Sequence, residues 1–483
     1  MRPRILRHLG AISRVSTGPA GEHRFHAAQL AVRGAPTEDL PDEFSWHDYA
    51  IFLLSTAAEI EHSLMVQYLY AAYSLGGPQV PKQHRDEVLC WQQIILGIAK
   101  EEMGHLVTVQ NILALLGGPL HLDREDYPWD SQFYPYKFVL EPVSKVSLAK
   151  YVVAESPKDW PDSVEHERAD IERLARQDTD QVIIPVHELY DKMIEVLSSP
   201  KHIPDELFRP ETYRSQASWD DWGRGYAKRA LGAVADMAPD VLVKRAASRA
   251  EAVAALKAIA EQGEAVTETA DSVSSHFRRF LHVYHEFSKL EEVWTTEGWS
   301  PVLPLAHNPR APGLGSSKEG GIAIEHREAS WWAGLFNLRY RMLLAYLAHA
   351  FRVSDDPAQS TAPGRRGQVL NRVFGEMYNL KAIASILTAL PLKDDLEMRA
   401  GPPFEMPYTL SFPIAEPAFW QLHLDLIDAS AAQIARIQHC ATAGQQYAQA
   451  LSQADTRARA EIDVILQASH ERSSLRRRVG GVR

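Results

Sequence analysis

Three acidic and imidazole side chains interrupt seams that are otherwise apolar. Leu54, Ala58, Glu61, Met65, Tyr68, Ala72 and Leu75 recur at alternating spacings of four and three, which places them on one face of a helix. Glu61 is the exception in that stripe. A second seam, Trp91, Ile95, Ile98, Glu102, His105, Val109, Ile112 and Leu116, carries two exceptions, Glu102 and His105. A carboxylate buried without a partner is costly, so each of these groups needs a counter-ion, a hydrogen-bonding neighbour or a metal. Glu102-Met103-Gly104-His105 is a Glu-x-x-His pair, which puts both donors on the same side of one helical turn.

With a Glu from a neighbouring helix, that pair is the recurring half-site of di-iron and di-manganese bundles. Taken alone the pair is weak, because the same spacing occurs on many exposed helices. Glu61 could instead pair with an arginine or lysine, and His105 could be a satisfied core histidine. The two interrupted seams together favour metal. For the other half-site the third carboxylate is Glu155, which continues the stripe Leu148, Val152, Glu155, or else Glu188. Glu188 falls nearly opposite the apolar arc Ile183, Val186, Tyr190, Ile194, Leu197, so Glu155 is preferred. Glu264 lies on the inner side of its helix with Ala260 and Gly263, and Glu261 points outward. His276 heads the seam His276, Phe280, Val283, Phe287, and would be joined to Glu264 across a polar interruption at 267–274. Glu59, Glu101 and His62 adjoin these positions but point elsewhere, as surface or supporting groups. No partner is assigned to His84, His187, His282 or His285. The charged stretch 165–176 reads as a solvated face.

The elements that must position these residues are mainly helical. Helices are expected over 45–75, 83–116, 147–155, 179–197, 241–262, 275–293, 330–351, 367–390 and 418–451. Gly76-Gly77-Pro78 and Gly117-Gly118-Pro119 end the first two. Little β-type alternation occurs, and no repeat is found. The expected organisation is an arm at 1–41, a metal-binding bundle at 42–300, a Pro/Gly-rich linker at 301–321, a C-terminal helical region at 322–470 and a basic, irregular tail at 471–483. The net charge of -11 argues against non-specific nucleic-acid binding. Two cysteines, Cys90 and Cys440, imply no disulfide framework and suit a reducing cytoplasm. The apolar run 331–351 contains Asn337, Arg339, Arg341 and His349, so it reads as a buried helix and not a membrane span. No phosphate-binding Gly loop, nucleophile elbow or Cys-pair zinc spacing is present.

The run from Leu53-Leu54 through Glu59-Ile60-Glu61-His62 to Tyr68-Leu69, followed by Ile98-Ala99-Lys100-Glu101-Glu102-Met103-Gly104-His105, resembles the bacterial ferritin-like domain of the iminophenyl-pyruvate dimer synthase family. The likeness continues in Phe133-Tyr134-Pro135-Tyr136, in Ser147-Leu148 to Glu155-Ser156-Pro157, in Glu261-Gln262-Gly263-Glu264, in Ser275-His276-Phe277, and in Leu390-Pro391 and Ala400-Gly401-Pro402-Pro403-Phe404-Glu405. The resemblance implies a ferritin-like four-helix bundle with an additional C-terminal helical region. It also implies an amino-acid-derived or imine substrate, as in violacein- and rebeccamycin-type bisindole biosynthesis. The family's glycine-rich stretch gives way here to Ala265. Its known dimer synthases carry a large extra N-terminal region that this chain lacks, so functions of that region are expected to be absent.

The expected activity is that of an oxidoreductase, an oxidase or oxygenase with two metal ions, iron first and manganese second, using dioxygen on a small molecule. The C-terminal region is expected to supply a pocket or a homodimer interface. The alternatives are metal handling or peroxide defence, and a metal-free structural or binding protein.

Overall fold

A computed structural model describes residues 40, 44–129, 134–177, 183–218, 241–264, 275–312, 320–353, 365–394, 397–407 and 410–480, with side chains omitted at 365 and 469–480. The expected arm at 1–41, apart from Leu40, the interruption at 267–274 and Phe133 of the crossover lie outside the described residues. The chain divides into two compact units, Met1–Asn308 and Pro309–Arg483.

In the first unit, α1 (Trp46–Ser74) begins where the Ser45 hydroxyl accepts the backbone N–H of Asp48 at 3.1 Å. It ends before Gly76 and Gly77, whose φ values of 98° and 106° suit glycine. It packs along α2 (Arg85–Leu115), and Leu53, Leu54, Ala57, Ile95 and Ile98 are fully buried. The short α3 (Lys145–Ala154) opens with a capping box between Ser144 and Ser147 and ends at Glu155. It packs against α4 (Arg168–Ala175), a helix not foreseen from the sequence. Next come α5 (Val186–Ser198), α6 (Arg249–Glu264) and α7 (His276–Glu297). Helix α7 lies on α3 and also touches α2 and α6, while α5 packs on α1 and α6.

Two helices begin later than expected. Pro185 occupies the cap of α5, so the helix starts at Val186 and not near Thr179. Residues 241–246 are irregular, because their backbone is recruited to α2. The Thr108 hydroxyl donates to the Leu242 carbonyl and accepts the Lys244 N–H, and Asn111 Nδ2 donates to the Lys244 carbonyl. Gly104 makes room for this segment, since a Cβ there would meet the Leu242 carbonyl oxygen at 2.7 Å. The first residues of the expected linker are held by the bundle: Gly76 N–H donates to Pro301 O at 2.8 Å and Leu303 N–H to Ser74 O at 2.7 Å.

The second unit contains α8 (Arg327–Ala350), α9 (Arg365–Leu387), α10 (Glu416–Cys440) and α11 (Gln445–Gly480), plus a two-residue parallel pair, β1 (Pro309–Arg310) with β2 (Ile322–Ala323). Helix α8 packs on α9 and α10, and α10 on α11. The single helix expected over 418–451 is two, broken at Gly444, where φ is 70° and an added Cβ would strike Trp332. The basic tail expected to be irregular is helical through Gly480. Glu405 accepts from Asn337 Nδ2 at 2.8 Å, the Ala311 N–H at 2.9 Å and Arg310 at 3.2 Å, so this segment is an anchor. Among the described residues, no helix is long and apolar enough to cross a membrane.

Candidate metal centre

The centre lies in the first unit, where α1, α2, α5, α6, α7 and the end of α3 converge. Glu61 comes from the middle of α1, and Glu102 and His105 from one turn of α2. Glu155 closes α3, where Pro157 bars continuation, and His276 is the first residue of α7, capped by Ser275. All five are nearly inaccessible: Glu155, the most open, is 5% exposed.

Their donor atoms form two groups of three, Glu61–Glu102–His105 and Glu102–Glu155–His276, each within 4.8 Å, with Glu102 common to both. His105 Nδ1 lies 2.9 Å from Glu102 Oε2 and 3.3 Å from Glu61 Oε2. His276 Nδ1 lies 3.0 Å from Glu102 Oε1 and 3.5 Å from Glu155 Oε2. Yet Glu61 Oε2, Glu102 Oε1 and His276 Nδ1 are buried and meet their neighbours only as ion-pair partners, without an aligned hydrogen bond. Three inward-facing donors left unsatisfied in one place are expensive for a structural cluster and fit a cation between them.

The outer atoms are held. The Tyr190 hydroxyl donates to Glu61 Oε1, and the Tyr68 hydroxyl donates to Glu155 Oε1 at 2.5 Å. His105 Nε2 lies 2.8 Å from Gln262 Oε1, and His276 Nε2 lies 2.9 Å from Glu101 Oε2, which also accepts from Arg279. Each imidazole thus offers Nδ1 to the centre while Nε2 is oriented from behind, the arrangement that metal-bound histidines adopt. Burial and the neighbouring Glu102 push the Glu61 carboxyl up to about 8. Burial alone would lower His105, but Glu102 and Glu61 raise it to about 10. Burial would raise Glu102, yet His276 and His105 hold it well below the usual carboxylate range.

A cavity of about 20 Å³, enough for roughly one water, opens onto Glu61, Glu102, His105 and Glu155. Glu264 lines its wall beside Gly263, with Oε2 3.5 Å from His187 Nδ1, and stands outside both donor groups. Glu188 belongs to neither group. Sequence reasoning placed Glu59, Glu101 and His62 at surface or supporting positions; all three are buried, and Glu101 supports His276. Tyr68, Tyr190 and Gln262 were missed because each sits on a packed helix face, where a phenol or amide reads as filler. His187, left without a partner, lies 2.9 Å from the Ser156 carbonyl oxygen, and His285 lies 2.7 Å from Glu167.

Residues 54–285 match the family model described as ferritin-like. The chain is 28% identical over 379 residues to dichlorochromopyrrolate synthase of Lentzea aerocolonigenes, covering 72% of this chain and 35% of that protein. It is 32% identical over 131 residues to 2-imino-3-(indol-3-yl)propanoate dimerase of Chromobacterium violaceum, covering 22% of this chain and 13% of that protein. The chain thus spans about a third or less of the length of these curated relatives. No solved structure matches it. The first unit carries a ferritin-like domain, distantly related to these two proteins, and the chain adds further helices C-terminal to that domain.

Proposed function

We propose that the ferritin-like domain holds two metal ions, iron in the first place and manganese in the second, and that it is an oxidase or oxygenase for an amino-acid-derived or imine small molecule of specialised metabolism. The observation that carries this reading is the set of three buried, unsatisfied donors, Glu61 Oε2, Glu102 Oε1 and His276 Nδ1, converging on two oxygen- and nitrogen-rich groups. Carboxylate and imidazole donors suit iron and manganese better than soft metals. The name of one relative, 2-imino-3-(indol-3-yl)propanoate dimerase, supports the substrate class.

In this reading Glu61, Glu102 and His105 hold one ion and Glu102, Glu155 and His276 the other, with Glu102 between them. When bound, such a pair supplies redox chemistry toward dioxygen. Tyr190 and Tyr68 fix one oxygen of Glu61 and of Glu155, which leaves the other oxygen facing inward. Gln262 and Glu101 fix the imidazoles. Glu264 stands at the cavity wall as the sixth proposed donor, tethered by His187. The five donors are nearly inaccessible, so bulk water is largely excluded from them.

The test is elemental analysis and the optical spectrum of the purified protein. About two iron or manganese ions per chain are expected. Replacing Glu102 and His105 together by alanine removes most of them, and wild-type metal content in that variant would overturn the assignment. Oxygen uptake with candidate amino acids and their imines then separates an oxidase from a metal-handling or peroxide-removing protein.

A further inference from the structure

We infer that a second cavity of the first unit, away from the metal centre, is a binding site for a small carboxylate with an apolar body. Its volume is about 200 Å³, and it lies between residues 136–141 of the crossover, Lys150 of α3, and His307 and Asn308. A dry cavity of about 150 Å³ takes benzene, so this one has room for a ring and a short acidic tail.

The charges facing it are Lys137, Lys150 and Glu141, with His307 at the rim, so the lining is cationic by one charge with His307 neutral. Lys150 and Glu141 are each more than nine-tenths buried and lie 3.0 Å apart. An ion pair so enclosed gains little for the fold itself, because desolvation offsets the attraction. Placed at the wall of a cavity, it presents a dehydrated ammonium to an incoming anion, which binds more strongly there than at the surface. Glu141 disfavours a dianion on the same ammonium, and the exposed Lys137 and His307 leave room for a single carboxylate. The Tyr136 ring and Val139 supply the apolar side.

The walls are built rigidly. Leu140 N–H donates to Asn308 Oδ1, and Asn308 N–H donates to the Leu140 carbonyl, both at 2.8 Å. Asn308 is held at a φ of 48°, backbone strain of the kind that gathers at ligand sites. The floor also has a link inward: Tyr136 abuts Gln67 and Tyr68, and Tyr68 donates to Glu155. Two phenols therefore separate this cavity from the metal-facing carboxylate, although the site itself requires no metal.

The test is calorimetric titration of the full chain, after chelation, with 3-phenylpropionate. One saturable site with a Kd of about 1 mM or tighter is expected for a ligand of this size. Inorganic phosphate and 2-phenylethylamine are expected not to compete. Lys150→Met weakens binding at least tenfold. Val139→Trp, which fills the cavity and leaves the ion pair intact, abolishes it and guards against a misfolded Lys150→Met protein. The Glu102→Ala/His105→Ala variant binds as the wild type does, so failure here and failure of the metal assignment are told apart. Absence of saturable binding, equal affinity for 2-phenylethylamine, competition by phosphate, or full affinity in Val139→Trp would each overturn the inference.

Discussion

In the second unit Arg339 is enclosed by Glu376, whose Oε1 lies 3.0 Å away, and by Asp455, with Ser430 bridging at 2.8 Å. Asn379 donates to the far oxygen of Glu376 and accepts from Tyr447. In the first unit three carboxylates face two imidazoles, and three of the inward atoms stay unsatisfied. Both clusters are buried, yet the Arg339 cluster pairs both terminal guanidinium nitrogens with carboxylates and leaves Arg339 Nε without a partner, whereas the cluster of the first unit turns three unpaired atoms toward one another. A buried polar cluster reads as structural when most of its donors and acceptors are matched, and as a candidate site when several converge without matching.

The largest effect that tests this contrast is in the matched cluster. Arg339→Met leaves Glu376 and Asp455 buried without their cation and should cost about 3–5 kcal/mol. Urea unfolding followed at Trp332 and Trp420 reads it, and a loss under about 1 kcal/mol would mean that the Arg339 ion pairs do not hold the unit together. The unmatched cluster should respond to metal instead. At an ion concentration about a hundredfold above Kd, loading should add roughly 2.7 kcal/mol. Hydrogen exchange should show the gain in α1, α2 and α7 and none in α8 and α10.

Acid should separate the units next. His349 and His423 lie 3.0 Å apart, fully buried, and burial lowers both, His349 to about 4. Both are neutral above the unfolded value of about 6.5, so nothing is lost there. As pH falls below 6.5 the unfolded chain takes up a proton that the folded chain refuses, and stability declines until about 4. At pH 5, His349 alone should account for roughly 2 kcal/mol, and His349→Phe should flatten that slope. Metal uptake in the first unit must displace protons held by Glu61 and His105, whose values are pushed up to about 8 and 10, so affinity should rise with pH from 6 to 8. The smallest effect is Tyr190→Phe. Removing the donor to Glu61 Oε1 should weaken ion binding by about 1 kcal/mol, roughly fivefold, in a competition titration with a chelator.

Glu61, Glu102 and His105 were legible because they sit mid-helix, where spacing reports direction faithfully. His276 was legible as the head of a seam, and Glu155 as the end of one. Glu101 was not, because α2 is buried nearly all round beside the centre and periodicity there no longer separates inside from outside. Residues 241–246 carry an apolar pattern that suits a helix, but their backbone groups bond to Thr108 and Asn111, a choice made by a distant helix. The break between α10 and α11 left one local signal, Gly444, inside a sequence rich in good helix formers.

The two donor groups also differ in the length of chain that must close to make them. Glu61, Glu102 and His105 belong to two consecutive helices that pack on each other, whereas His276 meets Glu101 across 175 residues. Loop closure makes distant contacts slower to form than those of a hairpin. The Glu61–Glu102–His105 trio can therefore assemble from one helical hairpin, whereas the Glu102–Glu155–His276 trio must wait for a closure across the whole domain.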